Sequence, residues 1–222
     1  MPTFGFSAFL KLISLNSRPR RTLIRRRTAG SKQGGYDFHR SLRLLANRYI
    51  VGGAALQEVL RLAGEITQPS ERSSAQSGLE RLAEWRSNNP GSILNFEPVV
   101  FESPAKNFKV QFQPDFGVQL GEQKIATHIW NTRTTVLDKR MMYAALSLIL
   151  PLYSSKENSP SHVGVLSLPD QELYRLGEVG EYAEVGSRLV RMLDDIFEEI
   201  SRESESPGKP SGDQPSIPPP TR

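Results

Sequence analysis

The chain has 222 residues, of which 37% are hydrophobic and 23% charged, with 17 Gly, 16 Pro and no Cys. At about 150 residues per domain this length fits one domain with tails or two small ones. The composition excludes a collagen-like repeat, a coiled-coil rod and a fully disordered chain. The absence of Cys excludes a disulfide framework, a thiolate nucleophile and a Cys-ligated zinc.

The longest apolar run, MMYAALSLILPLY from Met141 to Tyr153, falls well short of the roughly 20 residues a membrane helix needs. The opening MPTFGFSAFLKLISLN has neither a basic segment ahead of its apolar stretch nor a small-residue cleavage site, so no secretory signal is read there. The expectation is a cytoplasmic protein with no membrane partner.

Charge is uneven. Residues 1–36 hold eight cations (Lys11, Arg18, Arg20, Arg21, Arg25, Arg26, Arg27, Lys32) and no acid. The net charge is +4, so the remainder carries −4. Residues 1–33 are expected to be a disordered basic arm, with Arg18, Arg20, Arg21, Arg25, Arg26 and Arg27 contacting DNA or RNA phosphates by counterion release. The opposite end, residues 201–222, is rich in Ser, Pro and Gly with almost no large apolar side chain. It is expected to be a disordered tail.

Between the ends, helical and strand periods alternate. FHRSLRLLANRYI (38–50) and AALQEVLRLAGEI (54–66) show i, i+3, i+4 apolar spacing around the Gly52–Gly53 break, giving a helical extension over 34–68. TQPS (67–70) opens a third helix with a stripe of Ala75, Leu79, Leu82 and Trp85 that stops before Asn89-Pro90-Gly91. Residues 93–102, 108–120 and 124–132 read as three strands joined by short turns. A helix over 136–152, a β-branched strand over 162–168 and an amphipathic helix over about 180–200 follow. The fold class is α/β: a central mixed sheet, made of an antiparallel three-strand meander plus one parallel strand, flanked by helices over 69–200.

Gly121-Glu122 has the form of a two-residue hairpin turn. Pairing across it places Leu120 opposite Gln123, Val118 opposite Ile125 and Asp115 opposite His128. Strand alternation then divides the hairpin. Phe116, Val118, Leu120, Ile125, Thr127 and Ile129 share the core face, while Gln113, Asp115, His128 and Trp130 share the other. A register slip by one residue would exchange the two sets.

Helix, three strands, helix, strand, with Pro114-Asp115 opening a strand, resembles the PD-(D/E)XK nucleases, above all their recombination-exonuclease-like branch, over about residues 70–175. The resemblance implies a restriction-endonuclease-like sheet. In that family two strand-borne carboxylates hold Mg²⁺ and a Lys assists the attacking water. Asp115 stands at the family's Asp, but His128 stands where its Glu would be and Trp130 where its Lys would be. Lys139 and Tyr143 stand at its Gln-x-x-x-Tyr, with Lys in place of Gln. The literal Glu122-x-Lys124 lies at the turn, remote from Asp115.

On this resemblance the candidate catalytic residues are Asp115, Lys139 and Tyr143, and the candidate metal ligands are Asp115 and His128. The expected function is a catalytically impaired nuclease-like domain that binds nucleic acid or a partner protein. One alternative is an active Mg²⁺-dependent nuclease whose catalytic set has migrated to Asp115, Lys139 and Glu97 or Glu102. Another is a protein-interaction or toxin-neutralising module using the fold as scaffold. Trp130 is expected to pack in the core. No phosphate-binding glycine loop, nucleophile elbow or zinc-binding His-Glu-x-x-His occurs.

Overall fold

The computed structural model describes residues 1–28, 38–132 and 138–205. In chain order the elements are β1 (Thr3–Gly5), α1 (Phe6–Ser14), α2 (Ser17–Thr28), α3 (Arg40–Ile50), α4 (Leu56–Gly64), α5 (Pro69–Asn88), β2 (Ser92–Leu94), β3 (Val99–Glu102), β4 (Lys109–Phe112), β5 (Phe116–Leu120), β6 (Gln123–Trp130), α6 (Lys139–Ile149), a 3-10 turn (Leu150–Tyr153), β7 (His162–Ser167), β8 (Glu172–Leu176) and α7 (Tyr182–Glu205). None of the described helices is long and apolar enough to cross a membrane.

The central sheet has the order β2-β5-β6-β7-β8. Its first three strands are the antiparallel meander, β7 runs parallel to β6 as a crossover through α6 requires, and β8 pairs antiparallel at the far edge. The β5–β6 register is the expected one, with Phe116 opposite Thr127 and Leu120 opposite Gln123. Gly121 takes φ +59°, the left-handed conformation that the first turn position of a type II′ hairpin demands.

Two expected strands are each cut in two. Residues 93–102 break at Asn95-Phe96-Glu97-Pro98, and residues 108–120 break at Gln113-Pro114-Asp115. A proline has no N–H to give to a ladder and so ends a run of pairing. The far halves, β3 and β4, leave the central sheet and join β1 in a second sheet of order β1-β4-β3, with β1 parallel to β4. The short edge strand β8 was not among the expected elements.

The largest correction concerns the N-terminus. Residues 3–28 are not a disordered arm: they form β1, α1 and α2. Phe4, Phe6, Phe9, Leu10, Leu12, Ile13 and Ile24 are buried in one core cluster with Phe108, Phe112, Ile149, Tyr153 and Phe197. The apolar residues of α1 recur at helical spacing, which gives it a face to bury. Of the expected tail over 201–222, residues 201–205 are instead the end of α7, and residues 29–37 and 206–222 lie outside the described residues.

Both faces of the central sheet are covered. On one, α3, α4 and α5 pack Leu42, Val59, Leu79, Leu82 and Trp85 onto Phe116, Val118, Ile125 and Ile129. On the other, α6, α7 and α1 pack onto Ala126, Trp130, Val163 and Val165. Gly78 allows α5 to meet α3, because a Cβ there would lie 2.9 Å from both Leu42 methyls.

Candidate functional site

Asp115 leaves the Pro114 break at the start of β5, where its amide still donates to the Thr127 carbonyl at 2.8 Å. The hairpin therefore holds it beside His128, as the register requires. Its Oδ2 accepts from the Ile129 amide at 2.7 Å and lies 3.0 Å from His128 Nδ1. The Nδ1 contact has ion-pair distance but is not aligned as a hydrogen bond. Arg43, from α3, brings its Nε to 3.6 Å from Asp115 Oδ1, and Asn47 Nδ2 donates to the Asp115 carbonyl at 3.1 Å. Both Asp115 and His128 are nearly buried, with side-chain exposures of 10% and 6%.

The other edge of the imidazole meets the N-terminal segment. Ser7 Oγ, in the first turn of α1, lies 2.6 Å from His128 Nε2. Phe6 meets the ring edge-on at a centroid distance of 5.5 Å, and Phe112 lies tilted at 6.3 Å. A carboxylate beside Nδ1 favours the proton there, leaving Nε2 to accept from the serine hydroxyl. The result is a chain Ser7–His128–Asp115–Arg43 drawn from four separate elements.

Ser7, His128 and Arg43 of this chain border a cavity of about 970 Å³, whose wall does not include Asp115. Lys11, Arg27 and Arg43 reach its wall, as do hydroxyls from the start of α5, including Ser70, Ser73 and Ser77. No acidic side chain is among the described residues that line it. Asn131, at the end of β6, ties the wall to α5 through hydrogen bonds to the Ser74 carbonyl and hydroxyl at 3.2 and 3.1 Å.

Several expected site residues lie elsewhere. Lys139 does not reach Asp115: its Nζ is 3.5 Å from Glu172 Oε1 on β8 and 5.1 Å from the Tyr174 ring centroid. With β6 and β7 between, Asp115 and Glu172 stand about 14 Å apart by strand spacing alone. Tyr143 lies tilted against Tyr182 at a centroid distance of 5.1 Å between α6 and α7, off the cavity wall. Glu97 pairs with Lys156 and Glu102 with Lys109, each at 2.9 Å. The migrated catalytic set is thus not assembled. Trp130 is 3% exposed and packs in the core.

A divalent metal fits the donor set poorly. Mg²⁺ wants oxygen ligands in octahedral order. Here one Asp115 oxygen is taken by a backbone amide and faces the imidazole, while the other faces a guanidinium, which repels a cation. Among the described residues no group of three or more His, Asp or Glu could hold a metal ion. Asp115 and His128 are brought together as a polar pair.

The six arginines of the former arm divide by face of α2. Arg20 is turned inward, donating to the Leu12, Ile13 and Leu15 carbonyls. Burial lowers its pKa from the ordinary arginine value. Arg21 and Arg25 are paired with Glu199 and Glu203 of α7. Arg18 and Arg26 line an open groove of about 410 Å³ together with Lys11, and Arg27 reaches the main cavity while lying 5.7 Å over the Phe4 ring. Lys11 and Leu23 border both hollows.

Ser7, Lys11 and Arg43 were missed by sequence reasoning. A signal for the first two existed: Phe4 and Phe6 alternate as in a strand, and Phe9, Leu10, Leu12 and Ile13 then recur as in a helix. Nothing in the sequence marks Arg43 among the other arginines.

The fold and site define an α/β domain with a cationic, hydroxyl-lined cavity against the polar end of its sheet. No family model and no curated protein matches the chain. Among solved structures it is similar to a protein described as SSO0001, over 81% of this chain and 84% of that one. The identity is 12% and the TM-score 0.33, a likeness that carries no functional argument.

Proposed function

We propose that the chain is a nuclease-like domain, related in layout to the PD-(D/E)XK nucleases, that binds single-stranded nucleic acid through its phosphates without metal-dependent cleavage. The observation that carries this reading is the continuous cationic surface formed by Arg18, Arg26, Lys11 and Arg27, which leads into a cavity lined by no described acid. Such a surface recognises a phosphate backbone with little regard to sequence. The cavity is of a size that encloses one small ligand, so it takes a single nucleotide of the strand and not a duplex.

The test is fluorescence anisotropy of a labelled single-stranded oligonucleotide against the full chain over a salt series. Lys11→Ala, Arg18→Ala and Arg26→Ala should each weaken binding of unrelated sequences alike. Each should reduce the slope of log affinity against log salt by about 0.7. Arg21→Ala and Arg25→Ala should move it less, because those guanidinium groups face Glu199 and Glu203. Wild-type protein that binds no oligonucleotide, or binding indifferent to all three substitutions, would refute the proposal and leave a protein partner as the reading to pursue.

A further inference from the structure

A serine hydroxyl, an imidazole and a carboxylate in series are the parts of a nucleophilic hydrolase. Nucleic-acid binding uses none of them. We propose that Ser7, His128 and Asp115 form a metal-independent hydrolytic site for carboxylic esters of small anionic molecules. This goes beyond the binding reading and does not rest on it.

Four observations support the assignment. Ser7 Oγ is 2.6 Å from His128 Nε2, and Asp115 Oδ2 is 3.0 Å from His128 Nδ1, so the imidazole bridges the two oxygens through opposite nitrogens. Poor alignment of the second contact is common in unliganded sites and tightens with substrate. Ser7 and His128 both border the cavity, which gives a substrate access to the hydroxyl. Ser7 sits where β1 turns into α1, and the N-cap Gly5 supplies no side-chain acceptor to the first-turn amides. The amides of this first turn, which no side chain caps, are assigned the role of holding the developing oxyanion. Lys11 and Arg27 in the wall select a substrate that carries a phosphate or carboxylate.

The reaction needs no co-reactant but water. Ser7 Oγ attacks the ester carbonyl carbon as its proton passes to His128 Nε2, and the carbonyl π pair moves onto oxygen. When that pair returns, the bond to the alcohol oxygen breaks and the leaving alkoxide takes the proton from Nε2. A water, deprotonated by the same nitrogen, then attacks the acyl-serine. The Oγ–acyl bond breaks, Ser7 recovers its proton and the carboxylic acid leaves. Asp115 touches no reacting atom; it is a positioning residue that orients the imidazole and stabilises its charged form.

The experiment treats the full chain with a fluorophosphonate probe and locates the adduct by peptide mass spectrometry. In parallel it follows p-nitrophenyl esters with and without a terminal carboxylate. One adduct is expected, on Ser7, and none in Ser7→Ala. Ester turnover should fall by about 10³-fold in that variant. Lys11→Ala should raise KM for the carboxylate ester and spare the neutral one. Asp115→Asn should lower kcat and leave KM in place, a split that a purely structural role would not give. Should Ser7→Ala fail to fold, Ser7→Cys serves instead. The chain has no other cysteine, so iodoacetamide reports on that position alone. Its alkylation should outrun a free thiol at neutral pH because the neighbouring imidazole favours thiolate. An unlabelled wild type, an adduct elsewhere, turnover undiminished in Ser7→Ala, or a sluggish thiol in Ser7→Cys would each overturn the proposal.

Discussion

The two faces of the central sheet use the same strands for different ends. Beneath α3, α4 and α5 the sheet is hydrocarbon along the hairpin, from Phe116 and Val118 to Ile125 and Ile129. Across the sheet, under α6 and α7, it is also hydrocarbon, but toward the end of β6 it turns polar at His128, where α1 and α2 close over it. Alternation along one strand thus places Ile129 in a sealed core and His128 and Trp130 on a wall with a cavity. A polar chain can be held rigidly here because the opposite face of the same strand is fixed by packing.

Removing the N-terminal segment tests this comparison most severely. A chain beginning at Gly34 lacks Phe4, Phe6, Phe9, Leu10, Leu12, Ile13 and Ile24, all buried. At about 1.5–3 kcal/mol for each buried side chain, the loss is comparable with the whole stability of a domain. Urea denaturation should show no cooperative transition for the shortened chain. A native-like transition would mean that α1 and α2 are an appendage and that the second face is open.

Single cavities on the two faces should then cost alike. Phe9→Ala beneath α1 and Leu82→Ala beneath α5 both empty fully buried sites. Each should lower unfolding free energy by about 3–5 kcal/mol. A much smaller cost for Phe9→Ala would show that the two faces are not packed to the same density.

Asp115→Ala should cost less, about 1–3 kcal/mol, from the Ile129 amide left without its acceptor. Chemical denaturation measures it. A cost near zero would show that the polar end of the sheet contributes nothing to stability.

The smallest effect belongs to the surface contact of α2 with α7. The hydrogen bond from Arg25 holds the Glu203 carboxyl below its ordinary pKa. A depressed carboxylate stabilises above its unfolded pKa and loses that contribution as pH falls through its folded value. The α2–α7 contact should therefore loosen below about pH 4, seen as lower amide protection factors in α2, with Glu203→Gln behaving at neutral pH as the wild type does in acid. Protection factors in α2 that do not change with pH would remove the carboxylate from the contact.

Much of this arrangement was legible in the sequence where periodicity and turn chemistry act locally. Gly121 set the hairpin register, and the register alone placed Asp115 beside His128 with Trp130 on their face. The apolar stripe of Ala75, Leu79, Leu82 and Trp85 marked the side of α5 that is buried. What the sequence hid depends on long-range pairing. Pro98 and Pro114 signal breaks, but not that β3 and β4 would leave for a second sheet with β1. Eight cations without an acid masked the strand-then-helix apolar pattern of residues 4–13. Reading that segment as an arm left the Asp115–His128 face uncovered and Ser7 out of view. Lys139 failed for a related reason: position on α6 says nothing of Glu172, which sits on a strand too short to stand out.

The central proposal is that the cavity bordered by Lys11, Arg27 and His128 takes nucleic-acid phosphates without a metal ion. Its most direct test is incubation of the full chain with a labelled single-stranded oligonucleotide in Mn²⁺ and, in parallel, in EDTA, reading bound fraction and strand length together. The account predicts equal binding in both and a strand that stays intact. Binding that requires Mn²⁺, with cleavage that disappears in Asp115→Ala, would contradict it.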